Sequence, residues 1–129
     1  GAQSEVTNLN ADIERTLKDT VTPVSGLRGT VNAVYNAKMN LISINGHLSV
    51  SSPSTVGTNI SIGKLPSSIP APGSNNTFYF VAGLTKESTN NYGRVPADIT
   101  IDTNGNIIVS NPLGGSVYDI NINLMNFYM

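Results

Sequence analysis

The single histidine and the acidic residues are the first places where this sequence could carry out chemistry. His47 follows an Asn-Gly pair, and nothing in the sequence places a carboxylate or a nucleophile beside it. A Ser-His-Asp triad requires a histidine that is oriented by a carboxylate, so we interpret His47 as an exposed turn residue. Asp98 and Asp102 share one face of a predicted strand about 13 Å apart, which is too far for the paired carboxylates of a glycosidase. The sequence therefore predicts that the protein is not an enzyme.

Metal and cofactor sites also lack their usual residues. The chain has no cysteine, which excludes disulfides, thiolate nucleophiles and cysteine-based zinc sites. One histidine alone is a poor match to the usual zinc ligand sets. The stretch "DTNGN" at 102–106 resembles the start of a calcium loop but lacks the rest of that motif, so a hairpin turn explains it better. "NPLGGSV" is interpreted as a turn and not as a phosphate-binding loop. We predict no metal and no cofactor.

The segment "TKESTNNYGR" at 85–94 is the best candidate for a binding site. It combines hydrogen-bonding amides, one aromatic ring and charges of both signs. A tyrosine can stack on a sugar ring and an arginine can donate two parallel hydrogen bonds, so the set suits a polyhydroxyl or phosphate-bearing ligand. The alternative is an ordinary solvated loop, because loops are polar in any case. The candidate ligand-binding residues are Lys86, Asn90, Asn91, Tyr92 and Arg94.

Composition limits the class of protein that must position these residues. The 129 residues, with a mass of 13.6 kDa, fit one domain with a short appendage. Charged residues make up only 12% of the chain, against about 25% in ordinary domains, while Asn, Ser and Thr together supply 43 residues. A net charge of −1 without a basic cluster argues against nucleic acid binding. No apolar run is long enough to span a membrane and no signal peptide is visible; the opening Gly1-Ala2 resembles a cleavage scar.

Residues 4–22 differ from the rest of the chain and predict a helix. They contain no glycine and no internal proline, with Ser4 as a possible N-cap and Pro23 as the stop. Their apolar residues form one narrow stripe: Val6, Leu9, Ile13, Leu17, Val21 and Val24. A narrow stripe is typical of a coiled-coil seam, so we predict an N-terminal neck at 1–22, followed by a linker at 23–30. The alternative is a single amphipathic helix packed on its own head domain.

Residues 31–129 alternate between strand and turn patterns and predict a β-rich head. Alternation from Val31 changes phase near Leu41–Ile42, which we interpret as a bulge, and Asn45-Gly46 predicts a hairpin turn. Further strands are predicted at 58–62, 77–84, 97–103, 106–110 and 116–128. Short strands without intervening helices indicate a mainly β, jelly-roll-like antiparallel sandwich or barrel. The proline-rich segment 64–76 is expected to run along a sheet edge or across the end of the sandwich.

The stretch "DITIDTNGNIIV" at 98–109 gives a more local prediction. If Asn104-Gly105 is a two-residue turn, Ile101 lies opposite Ile108 and both point into the core. Ile107 and Val109 then lie on the other face, where a neighbouring chain would cover them. The alternative is that these are surface β-branched residues that simply favour a strand.

Four motifs in order resemble the C-terminal heads of tailed-bacteriophage receptor-binding proteins and tail fibres. They are "ISIGKLPSSIPAP", "FYFVAGL", "PADITIDTNGNIIV" and a last strand that ends in "NLMNFYM". The resemblance covers roughly 56–129, and the predicted N-terminal helix adds weaker support. The sequence lacks tryptophan, which many sugar sites use for stacking, so a tyrosine would have to serve instead.

This resemblance implies a homotrimer at a phage tail tip or baseplate. Its heads would attach the virion to a bacterial cell-surface saccharide, and its N-terminal side would contact other tail proteins. Weak single sugar sites gain avidity when three are held together. One alternative is a structural virion spike or baseplate module without catalysis. A less favoured alternative is a trimeric signalling domain like tumour necrosis factor, which has a comparable sandwich.

Overall fold

The computed structural model describes residues 16–52, 58–85, 94–111 and 115–129, and these form an all-β antiparallel fold. The chain order of the strands is β1 (Thr16–Pro23), β2 (Leu27–Asn36), β3 (Leu41–Val50), β4 (Asn59–Lys64), β5 (Asn76–Thr85), β6 (Arg94–Ile101), β7 (Asn106–Ser110) and β8 (Asp119–Phe127). No helix within the described ranges is long and apolar enough to cross a membrane.

The strands close into a barrel that consists of two four-stranded sheets. One sheet has the order β1-β2-β3-β8 and the other has the order β5-β6-β7-β4. Each is a three-stranded meander that takes its fourth strand from the other half of the chain, and short seams at β5–β8 and β1–β4 join the sheets. The predicted sandwich or barrel is confirmed. The jelly-roll-like order is wrong, because consecutive strands pair within one sheet and do not cross between sheets.

One apolar core fills the space between the sheets. Alternate residues of the strands point inward, as the strand period of two requires. In β8 the inward positions Ile120, Ile122 and Leu124 are buried, as the alternation in the sequence predicts. The fully buried aliphatic side chains include Val31, Ile42, Ile44, Leu48, Ile62, Leu84, Ile99, Ile101, Ile107, Val109 and Val117. Burying an aliphatic side chain contributes about 1.5–3 kcal/mol, so this core is the main source of stability.

The predicted helix is wrong over residues 16–22, because these residues form β1. Leu17 lies opposite Tyr35 and Val21 lies opposite Val31 on β2. A spacing of four residues fits one face of a helix and equally one face of a strand, so the stripe did not distinguish them. The β-branched residues in this stretch favour the strand. The rest of the predicted neck, residues 1–15, lies outside the described residues, and part of the predicted linker, 27–30, belongs to β2.

The Asn45-Gly46 pair lies inside β3 and does not form the predicted turn. The chain reverses at residues 37–40 instead, where Asn40 has a φ of 54°, a conformation that asparagine tolerates. This turn accounts for the change of phase near Leu41, so no bulge is needed. Gly46 is required for close packing: a Cβ there would lie 2.2 Å from the carbonyl oxygen of Thr30 on β2.

The hairpin between β6 and β7 is one residue longer than predicted. Asp102 and Asn106 exchange a backbone hydrogen bond, and the N–H of Gly105 donates to the carbonyl of Asp102. Gly105 has a φ of 83°, so three residues form the loop, as in a type I turn followed by a left-handed residue.

This extra residue reverses the faces of β7. Ile101 now lies opposite Ile107, and Ile99 lies opposite Val109. Ile101 is buried as predicted, but Ile107 and Val109 are buried with it and Ile108 is the partly exposed residue. The prediction for β7 is therefore wrong, because a shift of one residue moves every side chain to the other face.

The Asp102 carboxylate organises this turn. It accepts hydrogen bonds from the backbone N–H groups of Asn104 and Asn106 and from the Nδ2 of Asn106, each at 2.9 Å. These bonds, with the side-chain amide of Asn106 first, hold the pKa of Asp102 below its ordinary value. Any stability from them is therefore present at neutral pH and is lost as the pH falls through the lowered pKa.

Residues 65–75 close one end of the barrel, as the proline-rich composition predicts. Leu65 and Ile69 are buried in the core. The Ser68 hydroxyl donates to Asp19 on β1 (3.1 Å), and the Tyr128 hydroxyl donates to the carbonyl of Pro70 (3.1 Å). We call this the terminal end, because Thr16 and Met129 also lie there. At the opposite end, the loop end, lie the strand termini that flank 51–58, 86–93 and 111–118.

The C-terminus is fixed to the terminal end by a small hydrogen-bond network. Asn40 accepts a hydrogen bond from the Tyr35 hydroxyl (2.6 Å), and its side-chain amide donates to the carbonyl of Tyr128 (3.2 Å). The rings of Tyr35 and Tyr128 pack with their centroids 5.5 Å apart. Burial, with a smaller contribution from Tyr35, raises the pKa of Tyr128 to about 12.

Candidate functional site

The residues proposed from the sequence lie at the loop end of the barrel. Lys86, Asn90, Asn91 and Tyr92 fall outside the described residues. Arg94 is the first residue of β6, and its backbone pairs with Thr85 at the end of β5. The two strands therefore hold both ends of the 86–93 segment next to each other, and the site remains a prediction.

A cluster of three polar side chains lies on the outer surface next to this segment. Thr85 is in register with Asp119 on β8, and Asp119 is in register with Ser49 on β3. The Nε2 of His47 lies 2.8 Å from Oδ1 of Asp119, and the Ser49 hydroxyl donates to the same oxygen at 3.3 Å. We call these residues the His47 cluster; it lies one strand away from the end of β5.

The pairing of His47 fixes the direction of its hydrogen bond. An ionised carboxylate only accepts, so the Nε2–H of His47 donates to Asp119 and the Nδ1 atom is turned away from that oxygen. The side chains of His47 and Asp119 are 52% and 35% exposed, respectively. Exposed ion pairs contribute little to stability, so the pairing serves mainly to orient the two side chains.

The order of atoms in the cluster differs from that of a catalytic triad. In a triad the histidine lies between the nucleophile and the carboxylate and removes the proton of the nucleophile. Here the carboxylate of Asp119 lies between Ser49 and His47, so Ser49 is bonded to an acceptor that does not activate it as a nucleophile. The cluster is arranged for hydrogen bonding to a ligand.

Exposed amides continue the polar surface along the same sheet. Asn32, Asn45 and Asn123 are in register across β2, β3 and β8 and all three point outward. In the next row toward the loop end, His47 lies between Thr30 and Asn121. An amide both donates and accepts hydrogen bonds, as does a hydroxyl group. We call these two rows the amide face; it suits a ligand that is rich in hydroxyl groups.

The amide face was partly visible in the sequence. Asn32, Asn121 and Asn123 stand at the outward positions of alternating strands, which is a pattern that sequence analysis detects. Their assembly was not visible, because Asn45 appeared to belong to a turn. The pairing of His47 with Asp119 joins residues 72 positions apart, and no local motif indicates it.

Metal ligation has no basis in the part of the chain that the structure describes. Within 16–52, 58–85, 94–111 and 115–129, no three His, Cys, Asp or Glu side chains are close enough together to hold an ion. The candidate chemistry of the outer surface is therefore hydrogen bonding by amides, hydroxyls and the His47 cluster.

Comparison with known proteins gives one informative result. No protein-family model and no curated protein matches the sequence significantly. Among solved structures, the chain is similar in fold to the receptor binding protein (gp15) of Listeria phage PSA, with a TM-score of 0.56 and 19% identity. The similarity covers 98% of this chain and 78% of that chain. The two proteins therefore share a fold at low sequence identity.

Proposed function

We propose that this protein is the host-recognition head of a bacteriophage receptor-binding protein. The observation that carries the proposal is the fold shared with the phage receptor binding protein over 98% of this chain. Four sequence motifs independently suggest the same class. In this role the protein belongs to the tail tip or baseplate of a virion, acts outside the host cell and has no catalytic function.

The ligand that we propose is a saccharide on the bacterial cell surface. The amide face offers several donors and acceptors on a rigid sheet, and the His47 cluster adds an oriented imidazole. Rigid elements place such groups more precisely than loops do. The 86–93 segment adjoins the cluster through Thr85 and Asp119, so Tyr92 and Arg94 can extend the same site.

The proposed orientation follows from the two ends of the barrel. β1 begins at the terminal end, so residues 1–15 join the barrel there. In our proposal this side contacts the other tail proteins, and the loop end points toward the host. We also propose a homotrimer held by the apolar stripe that begins with Val6, Leu9 and Ile13, because three linked sites bind a repetitive polymer more tightly than one.

Binding of the full-length protein to intact host cells tests the amide face. Changing Asn45 and Asn121 to alanine together removes two amides and should weaken binding about tenfold or more, since each hydrogen bond contributes about 1 kcal/mol. Asn59→Ala is the matched control, because Asn59 is exposed on β4 of the other sheet. Equal binding by all three proteins would remove the amide face as the site.

The loop residues need a separate experiment. Tyr92→Ala and Arg94→Ala should each weaken cell binding if the 86–93 segment forms part of the site. If both leave binding unchanged while the amide variants reduce it, the ligand occupies the sheet alone. If the loop variants abolish binding and the amide variants do not, the site is the loop that the sequence predicts.

A structural spike or baseplate module is the second candidate. A specific observation favours it, because large apolar side chains are exposed at the terminal end. A purely structural module would not bind host cells, so the same cell-binding measurement separates the two functions.

A further inference from the structure

The outer surface of the β1-β2-β3-β8 sheet is apolar at the terminal end and polar elsewhere. Met125 and Phe127 on β8 are 69% and 50% exposed, and Met39 in the adjoining turn is 52% exposed. Leu41 lies in register with Phe127, and Val34 lies one strand beyond the residue that faces Met125. We call these five residues the apolar patch.

Such a patch is unusual on a monomer. The outer face of a half-buried antiparallel sheet is normally polar, as it is in the rows of the amide face. The patch places methionine and phenylalanine side chains together, and these types are enriched at protein interfaces. A contiguous exposed apolar surface of this kind indicates a binding partner.

The position of the patch identifies the partner. Thr16, where residues 1–15 join the barrel, lies in the same transverse row as Asn36, Leu41 and Phe127. Neighbouring strands are about 4.8 Å apart, so Phe127 lies about 14 Å from this junction. Whatever residues 1–15 bring together, they bring the patch to the same place.

We propose that the apolar patch is the contact surface between copies of this chain, facing the axis of the trimer. This inference rests on the proposed function, of which the trimer is a part. Packed helices lie about 8–10 Å apart, whereas each head contains two sheets stacked about 10 Å apart with side chains outside them. Three heads on one neck must therefore touch near Thr16.

The two flanks of β1 decide which surface faces the axis. On one side lie β2, β3 and β8 with the apolar patch. On the other side, at the terminal end, lies the 65–75 segment, whose exposed residues are mainly polar, including Ser67, Ser68, Ser74 and Asn75. Only the first flank gains free energy by leaving water.

Light scattering on the full-length protein tests the contact. The wild-type protein should have three times the 13.6 kDa mass of one chain. The double variant Met125→Lys with Phe127→Lys should dissociate to monomers at micromolar concentration, because it places charges in the contact. The matched control Asn59→Lys with Ser61→Lys adds the same charge on β4, four strands from β8 in either direction, and should stay trimeric.

Chemical crosslinking keeps the test decisive if the double lysine variant does not fold. The natural chain has no cysteine, so a single Met125→Cys substitution gives a unique reactive site. A short bismaleimide should link Met125→Cys chains into dimers and leave Ser61→Cys chains unlinked. Absence of a linked Met125→Cys dimer, or equal linking in both variants, would overturn the proposal.

The outcomes separate this inference from the receptor-binding function. A monomeric wild-type protein that binds host cells overturns the contact and retains the receptor role. A monomer whose patch is covered by its own residues 1–15, or by another tail protein, also overturns it. A trimer that dissociates in the Met125→Lys, Phe127→Lys variant supports the contact, even if the protein binds no cells.

Discussion

Tyr128 links the C-terminus of the chain to the closed end of the barrel. Its hydroxyl donates to the carbonyl of Pro70 and its ring packs against Tyr35, while the backbone is fixed by Asn40. Burial raises the pKa of Tyr128 to about 12, because the charged phenolate is poorly solvated there. The neutral hydroxyl is therefore part of the folded structure.

Replacing this hydroxyl gives a prediction with a defined pH range. Tyr128→Phe should lower the free energy of unfolding by about 1 kcal/mol at neutral pH, the usual value of one hydrogen bond. In the wild-type protein the raised pKa stabilises the fold fully below pH 10, and this stability is lost as the pH rises toward 12. The difference between the two proteins should therefore shrink above pH 10 in urea titrations.

Tyr118→Phe is the control for this experiment, because it retains the hydroxyl of Tyr128. It should keep the loss of stability between pH 10 and pH 12. If Tyr128→Phe loses as much stability over that range as the wild-type protein, the buried hydroxyl is not the cause.

At the scale of the elements, the strand pattern was predictable but the turns were not. The inward alternation of Ile120, Ile122 and Leu124 identified β8 correctly. The two Asn-Gly pairs were treated alike, although Gly105 has a positive φ in a turn and Gly46 allows two strands to approach closely. Dipeptide statistics do not distinguish these two needs, since the second depends on a residue on another strand.

The failure at β1 has a similar cause. Leu17 and Val21 are four residues apart, which fits a helix and a strand equally well. What selects the strand is the pairing with Tyr35 and Val31, which becomes visible only when β2 is in place. Of the candidate site, the outward asparagines were predictable, whereas the pair of His47 with Asp119 depended on the register of β3 and β8.

Gly46 provides a test at the scale of the element. A Cβ at this position would lie 2.2 Å from the Thr30 oxygen and 2.6 Å from the Cα of Val31, both of them backbone atoms. Gly46→Ala should therefore lower the free energy of unfolding by about 2–4 kcal/mol, in the range of severe overpacking. The measurement is chemical denaturation monitored by circular dichroism.

Gly73→Ala is the matched control, because a Cβ at residue 73 would meet no heavy atom within 4 Å and the residue belongs to the exposed part of the 65–75 segment. It should be neutral or slightly stabilising, since alanine restricts the unfolded chain. Equal stability of Gly46→Ala and the wild-type protein would contradict the close approach of β2 and β3.

At the scale of the whole molecule, polarity is divided along one sheet. The apolar patch lies at the terminal end, where residues 1–15 join, and the His47 cluster lies toward the loop end. One sheet can thus hold copies together at one end and present hydrogen-bonding groups at the other. This division is what a receptor-binding head requires if its trimer contact and its ligand are to be bound at the same time.

Competition for phage adsorption tests the central claim most directly. The purified full-length protein is added to the host strain before a phage that carries this protein on its tail, and free phage are counted after adsorption. The host-recognition role predicts that saturating wild-type protein blocks adsorption, and that the Asn45→Ala, Asn121→Ala double variant blocks it at least about tenfold less well. Undiminished adsorption in the presence of saturating, folded wild-type protein would contradict the proposed function.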